Sequence, residues 1–295
     1  MRKFIIVTDS CCDLNKGLRE EYQIEYIPMH FSCDEVEYYA DLDWKKLSEK
    51  EFYDLMRSGK RIITSQINVS EYEERFKKYI DEGFDILSIS CSSALSSSVK
   101  ASYVARDELL KTNENAKIIC IDSLNSCYGL GLLCIIASKL RDDGKTIEEV
   151  ASYIESIKLK INQEATVESL KYLKQAGRVS AASAFFGGLL NIKPIIISDA
   201  IGQNFAVEKV KGRKTSFIRI AERIKEEYES HQFQRVFIGH GDCIEDCQAL
   251  KEEVVKVLPE DVEITLGYIG PIVGASCGPG VLGVYFIGKE VEINK

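Results

Sequence analysis

Short apolar runs that end in small polar residues recur along this chain, and helical patterns separate most of them. The runs that fit buried strands read FIIVTDS, FDILSIS, AKIICIDS, IKPIIIS and RVFIGHGD, at 4–10, 84–90, 116–123, 192–198 and 235–242. Strands that alternate with helices usually form a largely parallel sheet. The chain is therefore predicted to be an α/β protein in which helices flank the sheet.

Helical spacing of apolar residues is clearest at 70–83, 98–112 and 146–161. The first of these segments opens at Ser70, has Glu73 three residues later and closes at Gly83. A hydroxyl residue followed by Glu at the third position is typical of a helix start, and glycine is typical of a helix end.

The 295 residues are enough for two ordinary domains. The composition changes near 160–166, after a long helical pattern and before a new apolar series. We predict two α/β domains, an N-terminal one at 1–162 with a largely parallel sheet and a C-terminal one at 163–295.

An uncharged stretch at 267–288 has about the length that a bilayer requires. Seven glycines and two prolines interrupt it, so we predict two buried strands and a tight loop at GASCGPG rather than a membrane span. The N-terminal sequence shows no signal-peptide pattern, which predicts a cytoplasmic protein. The net charge of −8 argues against a nucleic-acid partner.

Polar residues stand where the predicted N-terminal strands end. They are Asp9 and Ser10, the serine-rich stretch SCSSALSSS at 90–98, and Asp122 with Ser123. A further polar turn, ITSQIN, lies at 63–68. Ligands of open α/β sheets bind at the carboxyl ends of the strands, and hydroxyls and helix N-termini can donate to an anionic or carbonyl headgroup. The same residue types are also common as helix caps and turn formers, so both interpretations stay open.

Enzyme motifs find little support in this sequence. GPGVLG at 278–283 matches the dinucleotide pattern, but a strand-like VYFIG follows it where a helix is needed. The ten cysteines form no CxxC pair and fit buried thiols, and neither a metal nor a cofactor is indicated. One alternative is an acyl hydrolase in which His240 activates a serine of the cluster. Because no acid/base pair accompanies the polar turns, binding of a headgroup is favoured over its chemical transformation.

Several motifs, in order along the chain, resemble the DegV family. They are IIVTDSCCDL, TSQ, ISCSSALSSS, IDSLNSCYGLG, ESLKYLKQAGRVS, LLNIKPIIISDAIG and GPIVGASCGPGVLG. The resemblance implies a bacterial fatty-acid-binding protein of two α/β domains that holds the acyl chain between them. It further implies a non-catalytic carrier that binds C16–C18 fatty acids and presents them to the ATP-binding subunit of a fatty acid kinase, which makes an acyl phosphate for phospholipid synthesis.

The resemblance also implies roles for individual residues. The carboxylate would be held by Thr64 and Ser96, with Ser65 and Ser276 beside them. Arg178 and Arg213 would face the partner or the new phosphate, which suits the planar guanidinium group.

This chain departs from the family pattern at several positions. Ser276 stands where many relatives have a histidine near the headgroup, LSSS replaces the Leu-Ser-Gly-Thr signature, and Ala176-Gly177 replaces a Gly-Gly pair. The missing histidine keeps open a second alternative, a lipid sensor without a kinase partner.

For the wall of the acyl-chain pocket we nominate the uncharged segment SAFFGGLLNI, whose other interpretation is an ordinary core helix. The nominated side chains are Phe185, Phe186, Leu189, Leu190 and Ile192.

Overall fold

A computed structural model describes residues 3–180 and 191–292. Within the first range lies a four-stranded parallel sheet with the strand order β2-β1-β6-β7. Its strands are β1 Phe4–Asp9, β2 Ile24–Ile27, β6 Asp85–Ser90 and β7 Ile118–Asp122. The α/β class and the parallel N-terminal sheet are thus confirmed.

A small antiparallel sheet, which the sequence did not predict, lies beside the parallel one. Its order is β4-β3-β5, and its strands are β3 His30–Cys33, β4 Val36–Tyr39 and β5 Ile62–Ser65. The segment ITSQIN, expected to be a turn, therefore begins as strand β5. Thr64 is the third residue of β5 and lies opposite Phe31.

The third sheet is mixed and runs in the order β13-β12-β14-β8-β10-β11-β9 over the described residues. Only the β12–β13 and β11–β9 pairs in this part of the chain are parallel. The strands are β8 Ile161–Thr166, β9 Val179–Ser180, β10 Ile192–Ser198, β11 Asn204–Lys211, β12 Val236–His240, β13 Ile264–Tyr268 and β14 Leu282–Ile287. The expected boundary after residue 162 falls inside β8, and the division into two domains stays a prediction.

Helices cover the sheets. They are α1 Lys16–Glu21, α2 Glu49–Arg57, α3 Val69–Asp81, α4 Ser98–Leu110, α5 Cys127–Asp142, α6 Ile147–Ile157, α7 Leu170–Ala176, α8 Arg213–Glu227, α9 Ile244–Val255 and α10 Pro271–Cys277. The start of helix α3 lies two residues earlier than the expected pair Ser70 and Glu73. Asn68 and Glu71 form its capping box because the Asn68 side chain accepts from the Glu71 backbone N–H and Glu71 accepts in return.

Helix α5 is buried almost all round and joins the parallel sheet to the mixed sheet. A helix that is apolar on every side belongs between two layers. The Tyr128 ring stacks on Phe237 with the centroids 5.0 Å apart, and its hydroxyl donates to the Tyr268 carbonyl at 2.8 Å. This helix fixes the position of the third sheet relative to the first.

The segment at 267–288 contains a helix that the sequence did not predict. The second expected strand is present as β14, whereas β13 overlaps the segment only at its last two residues. Helix α10 takes the place of the end of the first expected strand and the start of the expected loop. Pro271 at the first position suits a helix start, and Gly278, with φ of +82°, follows its end. Gly278 must lack a side chain because a Cβ atom there would lie 2.1 Å from the Tyr172 ring.

None of the helices in the described residues combines the length and the apolar character that crossing a bilayer requires. All ten cysteines are free thiols, and most are buried.

Candidate functional site

A cavity of about 450 Å³ lies where the carboxyl ends of β1 and β6 approach β5 and α10. Hydroxyl groups line it at Thr64, Ser65, Ser96 and Ser276, among others. Its less polar lining comes from sulfur-bearing and aliphatic side chains, including Cys11, Met29, Cys91, Leu95, Ile272, Val273 and Cys277. The volume is within the range of small-molecule pockets, and the lining suits an amphipathic ligand.

A ladder of hydrogen bonds shapes the serine-rich loop after β6. Ser96 Oγ accepts from the Ser98 backbone N–H at 3.2 Å and lies 3.0 Å from Ser98 Oγ. Ser98 Oγ in turn accepts from the backbone N–H of Ile67, which follows β5. The loop and the end of β5 are therefore joined, and Ser96 and Thr64 line the same cavity.

Three of the predicted hydroxyls have no protein partner in the described part of the chain. Neither Thr64 nor Ser65 nor Ser276 makes a side-chain hydrogen bond to a described residue, although Thr64 and Ser276 are half-buried. Ser96 is different, since it already supports the turn before α4. The unpaired hydroxyls are available to a ligand with oxygen atoms.

The acidic residues at the strand ends have a structural role. Asp9 is fully buried and accepts from the Cys11 and Cys91 backbone N–H groups at 2.9 and 2.7 Å. Burial raises its pKa to about 6, and these hydrogen bonds lower it by less. Asp122 accepts from the Ser93 backbone N–H at 3.1 Å. Neither carboxylate lines the cavity, so for these two residues the turn-forming interpretation holds.

The two predicted arginines occupy different surroundings. Arg178 follows α7, lines the cavity and is exposed, and its guanidinium donates to the Ala176 carbonyl at 2.6 Å. Arg213 lies outside the cavity lining, at the start of α8. Its Nε donates to Asp246 at 2.9 Å and its Nη2 to the Gly280 carbonyl at 2.6 Å. Its Nη1 is buried without a hydrogen-bond partner among the described residues.

Only one of the nominated acyl-pocket residues belongs to the described part of the chain. Phe185, Phe186, Leu189 and Leu190 lie outside the described residues, whereas Ile192 begins β10 and does not line the cavity. The apolar wall that is described comes from α10 and from Cys11, Met29 and Cys91, which our sequence analysis did not nominate. Cys11 and Cys91 follow predicted strands and could have been found by that criterion. The residues of α10 could not, because their glycine-rich sequence favours a loop.

His240 is poorly placed for a hydrolase. It is buried at the end of β12, its ring packs on Tyr268 at 4.3 Å between centroids, and Nδ1 faces the Cys243 backbone N–H at 3.4 Å. Burial lowers its pKa. His240 does not line the cavity that contains the serine cluster, so the geometry gives no support to a serine–histidine pair.

The chain is similar to known proteins over nearly its whole length. The family model described as "Uncharacterised protein, DegV family" matches residues 3–289. A DegV domain-containing protein of Clostridium perfringens is 37% identical over 292 residues, which cover 99% of this chain and 100% of that protein.

Solved structures of similar fold carry descriptions of lipid binding. The structure of DegV from Bacillus subtilis, described as a fatty acid binding protein, has a TM-score of 0.82 at 27% identity and covers 98% of this chain and 100% of its own. A protein of Thermotoga maritima, described as a DegV lipid binding protein, has a TM-score of 0.86 at 24% identity with the same coverage. This chain belongs to the DegV family.

Proposed function

We propose that this protein binds a long-chain fatty acid of the C16–C18 class, with the acyl chain in the cavity and the carboxylate at its hydroxyl groups. Thr64, Ser65, Ser96 and Ser276 are the proposed carboxylate contacts. The observation that carries the proposal is that hydroxyls with no hydrogen-bond partner among the described residues share one cavity with an apolar, sulfur-rich wall. The fatty-acid binding described for the Bacillus subtilis relative supports it.

The energetics of such a complex favour the acyl chain as the main source of affinity. Burial of one methylene contributes about 0.8 kcal/mol, so a sixteen-carbon chain contributes roughly 11 kcal/mol before ordering costs. The headgroup contacts must offset the desolvation of the carboxylate, which would otherwise take up a proton. Hydroxyl groups can bind both protonation states of the headgroup, since they donate to a carboxylate and accept from a carboxylic acid.

The finer part of the proposal is a carrier role for a fatty acid kinase. The protein would present the carboxylate to an ATP-binding kinase subunit, and catalysis would reside in that subunit, so no cofactor is assigned to this chain. A smaller recess of about 130 Å³ beside Thr64 and Ser276 supports this role because Lys60, Arg61 and Arg178 line it. Such cations can stabilise a phosphate next to the carboxylate. Dependence on ATP makes the cytoplasm the proposed location.

The experiment that tests the proposal is identification of the lipid that co-purifies with the protein. After expression in a bacterium, folded protein is extracted with organic solvent and the extract is analysed by mass spectrometry. We expect C16–C18 fatty acids in amounts close to one per protein molecule. A folded sample that yields no fatty acid and binds none when oleic acid is added would contradict the proposal.

A further inference from the structure

Two cysteines are held side by side at the carboxyl ends of neighbouring strands. Cys11 follows β1, and Cys91 follows β6 directly, and the two strands are paired in the parallel sheet. The two oxygens of one carboxylate, that of Asp9, accept the backbone N–H groups of Cys11 and Cys91 at 2.9 and 2.7 Å. Because one carboxylate spans both amides, the backbones of the two cysteines are fixed close together.

The two cysteines line the same cavity, and each thiol affects the pKa of the other. Each cysteine is only 2% exposed, and both line the cavity. The Cys11 thiol donates to the Met29 sulfur at 3.5 Å. Interaction with the Cys91 thiol raises the pKa of Cys11 well above its usual value, and burial adds to this shift. The same interaction lowers the pKa of Cys91, but burial and the nearby carboxylates outweigh it, so the pKa of Cys91 is raised as well. At neutral pH both thiols are therefore protonated, and their reaction with an oxidant is slow unless the oxidant is held nearby.

We propose that Cys11 and Cys91 form a dithiol site that a two-electron oxidant entering through the cavity converts to an intramolecular disulfide. One thiolate attacks the oxidant, and the second thiolate then displaces the reduced oxidant from the first sulfur. The two thiols lose two protons and two electrons in total. With diamide, a diazene, the N=N bond accepts them and becomes a hydrazine. A disulfide joins residues whose Cα atoms lie within about 7 Å, and the shared Asp9 carboxylate holds the two cysteine backbones near each other.

Formation of this disulfide changes the wall of the cavity. A bonded pair of sulfurs is much closer than two thiols in contact, so Cys11 moves toward Cys91 and gives up its hydrogen bond to Met29. This consequence rests on the proposed function, because it predicts competition between the oxidant and a bound fatty acid. The disulfide itself requires only the cysteine pair and an open cavity.

The test is oxidation of the delipidated full-length protein with diamide, followed by peptide mass mapping without reductant. We expect a crosslink between the peptides that contain Cys11 and Cys91, a mass lower by two hydrogen atoms, and a rate that increases with pH. The variants Cys11→Ser and Cys91→Ser should each abolish the loss of mass. Cys277→Ser, which removes a cavity thiol outside the pair, and Cys134→Ser, which removes a buried thiol outside the cavity, should retain it.

Some outcomes would overturn this inference. Absence of the crosslink in folded wild-type protein, or a crosslink between other cysteines, contradicts it whether or not the serine variants fold. Preloading with oleic acid should slow the crosslink at least tenfold, and an equal rate with a filled cavity shows that the oxidant does not enter there. If oleic acid does not bind at all, the proposed function is wrong. The crosslink mapped in the unloaded protein still shows whether Cys11 and Cys91 form a disulfide.

Discussion

The Ile67 backbone N–H donates a 3.2 Å hydrogen bond to Ser98 Oγ, and this contact joins the end of β5 to the start of α4. Both residues are fully buried. Thr64 lies three residues before Ile67, and Ser96 lies two residues before Ser98. The bond therefore holds the two segments that carry the proposed headgroup contacts at one edge of the cavity.

Replacement of Ser98 by alanine should destabilise the protein and weaken fatty-acid binding together. A buried backbone N–H left without an acceptor costs about 1–3 kcal/mol, and Ser96 also loses its hydroxyl neighbour. Urea unfolding and a fatty-acid titration measure the two effects. Ser152→Ala is the matched control because Ser152 is exposed on α6 and lies outside the cavity lining. Wild-type stability and affinity in Ser98→Ala would show that this bond does not position the site.

The double substitution Thr64→Ala and Ser96→Ala should weaken fatty-acid binding and lower the melting temperature by only about 2–4 °C, because the Ser96 hydroxyl also supports the turn before α4. Each hydrogen bond to a charged group contributes about 1.5–3 kcal/mol, so the double variant should lose roughly a hundredfold or more in affinity. Isothermal titration with oleic acid measures the loss. The control Thr64→Ser keeps the hydroxyl and should retain binding. Affinity equal to wild type in the double variant would remove both residues from the headgroup site.

The sequence predicted which hydroxyl residues would come together better than it predicted what surrounds them. Polar residues at the ends of parallel strands must meet at one sheet edge, so the place of the serine-rich loop with Ser96 could be predicted from sequence. Thr64 lies in the antiparallel strand β5 and was grouped with Ser96 through the family resemblance. Their role as ligand contacts stays a prediction. The structural role of Asp9 could not be predicted from the sequence, because only the folded loops show that its oxygens accept from the Cys11 and Cys91 backbone N–H groups.

Two other features depend on contacts that local patterns do not encode. Helix α10 was missed because glycine-rich sequence favours loops, whereas Gly274 here allows Tyr53 to pack closely against the helix. The third sheet is mixed because β14 inserts between β12 and β8, antiparallel to both. Strand pairing of this kind is set by long-range packing rather than by the residues within each strand.

Stability should fall as the pH rises from about 5 to 8, in large part because of Asp13. This carboxyl group is buried, and burial raises its pKa to about 7. Cys127 and Gly270 lie beside it, but neither of its oxygens receives a hydrogen bond of regular geometry from the described residues. A carboxyl group whose pKa is higher in the folded state binds its proton more tightly there, so protonation stabilises the folded state. This stabilisation is complete below the unfolded pKa of about 4 and is lost as the pH rises through 7.

Asp13→Asn tests this dependence because the amide stays neutral at every pH. Between pH 5 and pH 8 the free energy of unfolding of the wild type should fall by about 3 kcal/mol more than that of the variant. Some slope should remain, since burial also raises the pKa of Asp9 to about 6 and that of Glu164 to about 7. Urea titrations at both pH values give the comparison, with the exposed Asp81→Asn as control. Parallel pH profiles for Asp13→Asn and wild type would contradict the assignment.

Arg213→Ala should leave fatty-acid binding intact and impair acyl-phosphate formation by a cognate kinase. Arg213 lies outside the cavity lining, so its loss leaves the proposed fatty-acid contacts in place, and the family resemblance implies that it faces the partner or the new phosphate. The measurement is kinase turnover with the loaded carrier, alongside a fatty-acid titration. Arg219→Ala, which removes an arginine of the same helix that pairs with Glu208, is the control. Equal turnover with both variants and with wild type would exclude this role, and absence of any kinase binding by the wild type would favour a lipid sensor.

Val273→Phe should shift the bound fatty acids toward shorter chains. Val273 lies on α10 and lines the apolar part of the cavity, so a larger ring there takes space that the acyl chain would fill. If two methylene groups are excluded, the longer chain loses about 1.6 kcal/mol, or roughly fifteenfold in relative affinity. Gas chromatography of extracted lipids should show less C18 relative to C14 and C16 than in wild type. Val255→Phe makes the same change on the exposed face of α9 and should leave the profile unaltered. An unchanged profile in folded Val273→Phe would mean that the acyl chain does not run along α10.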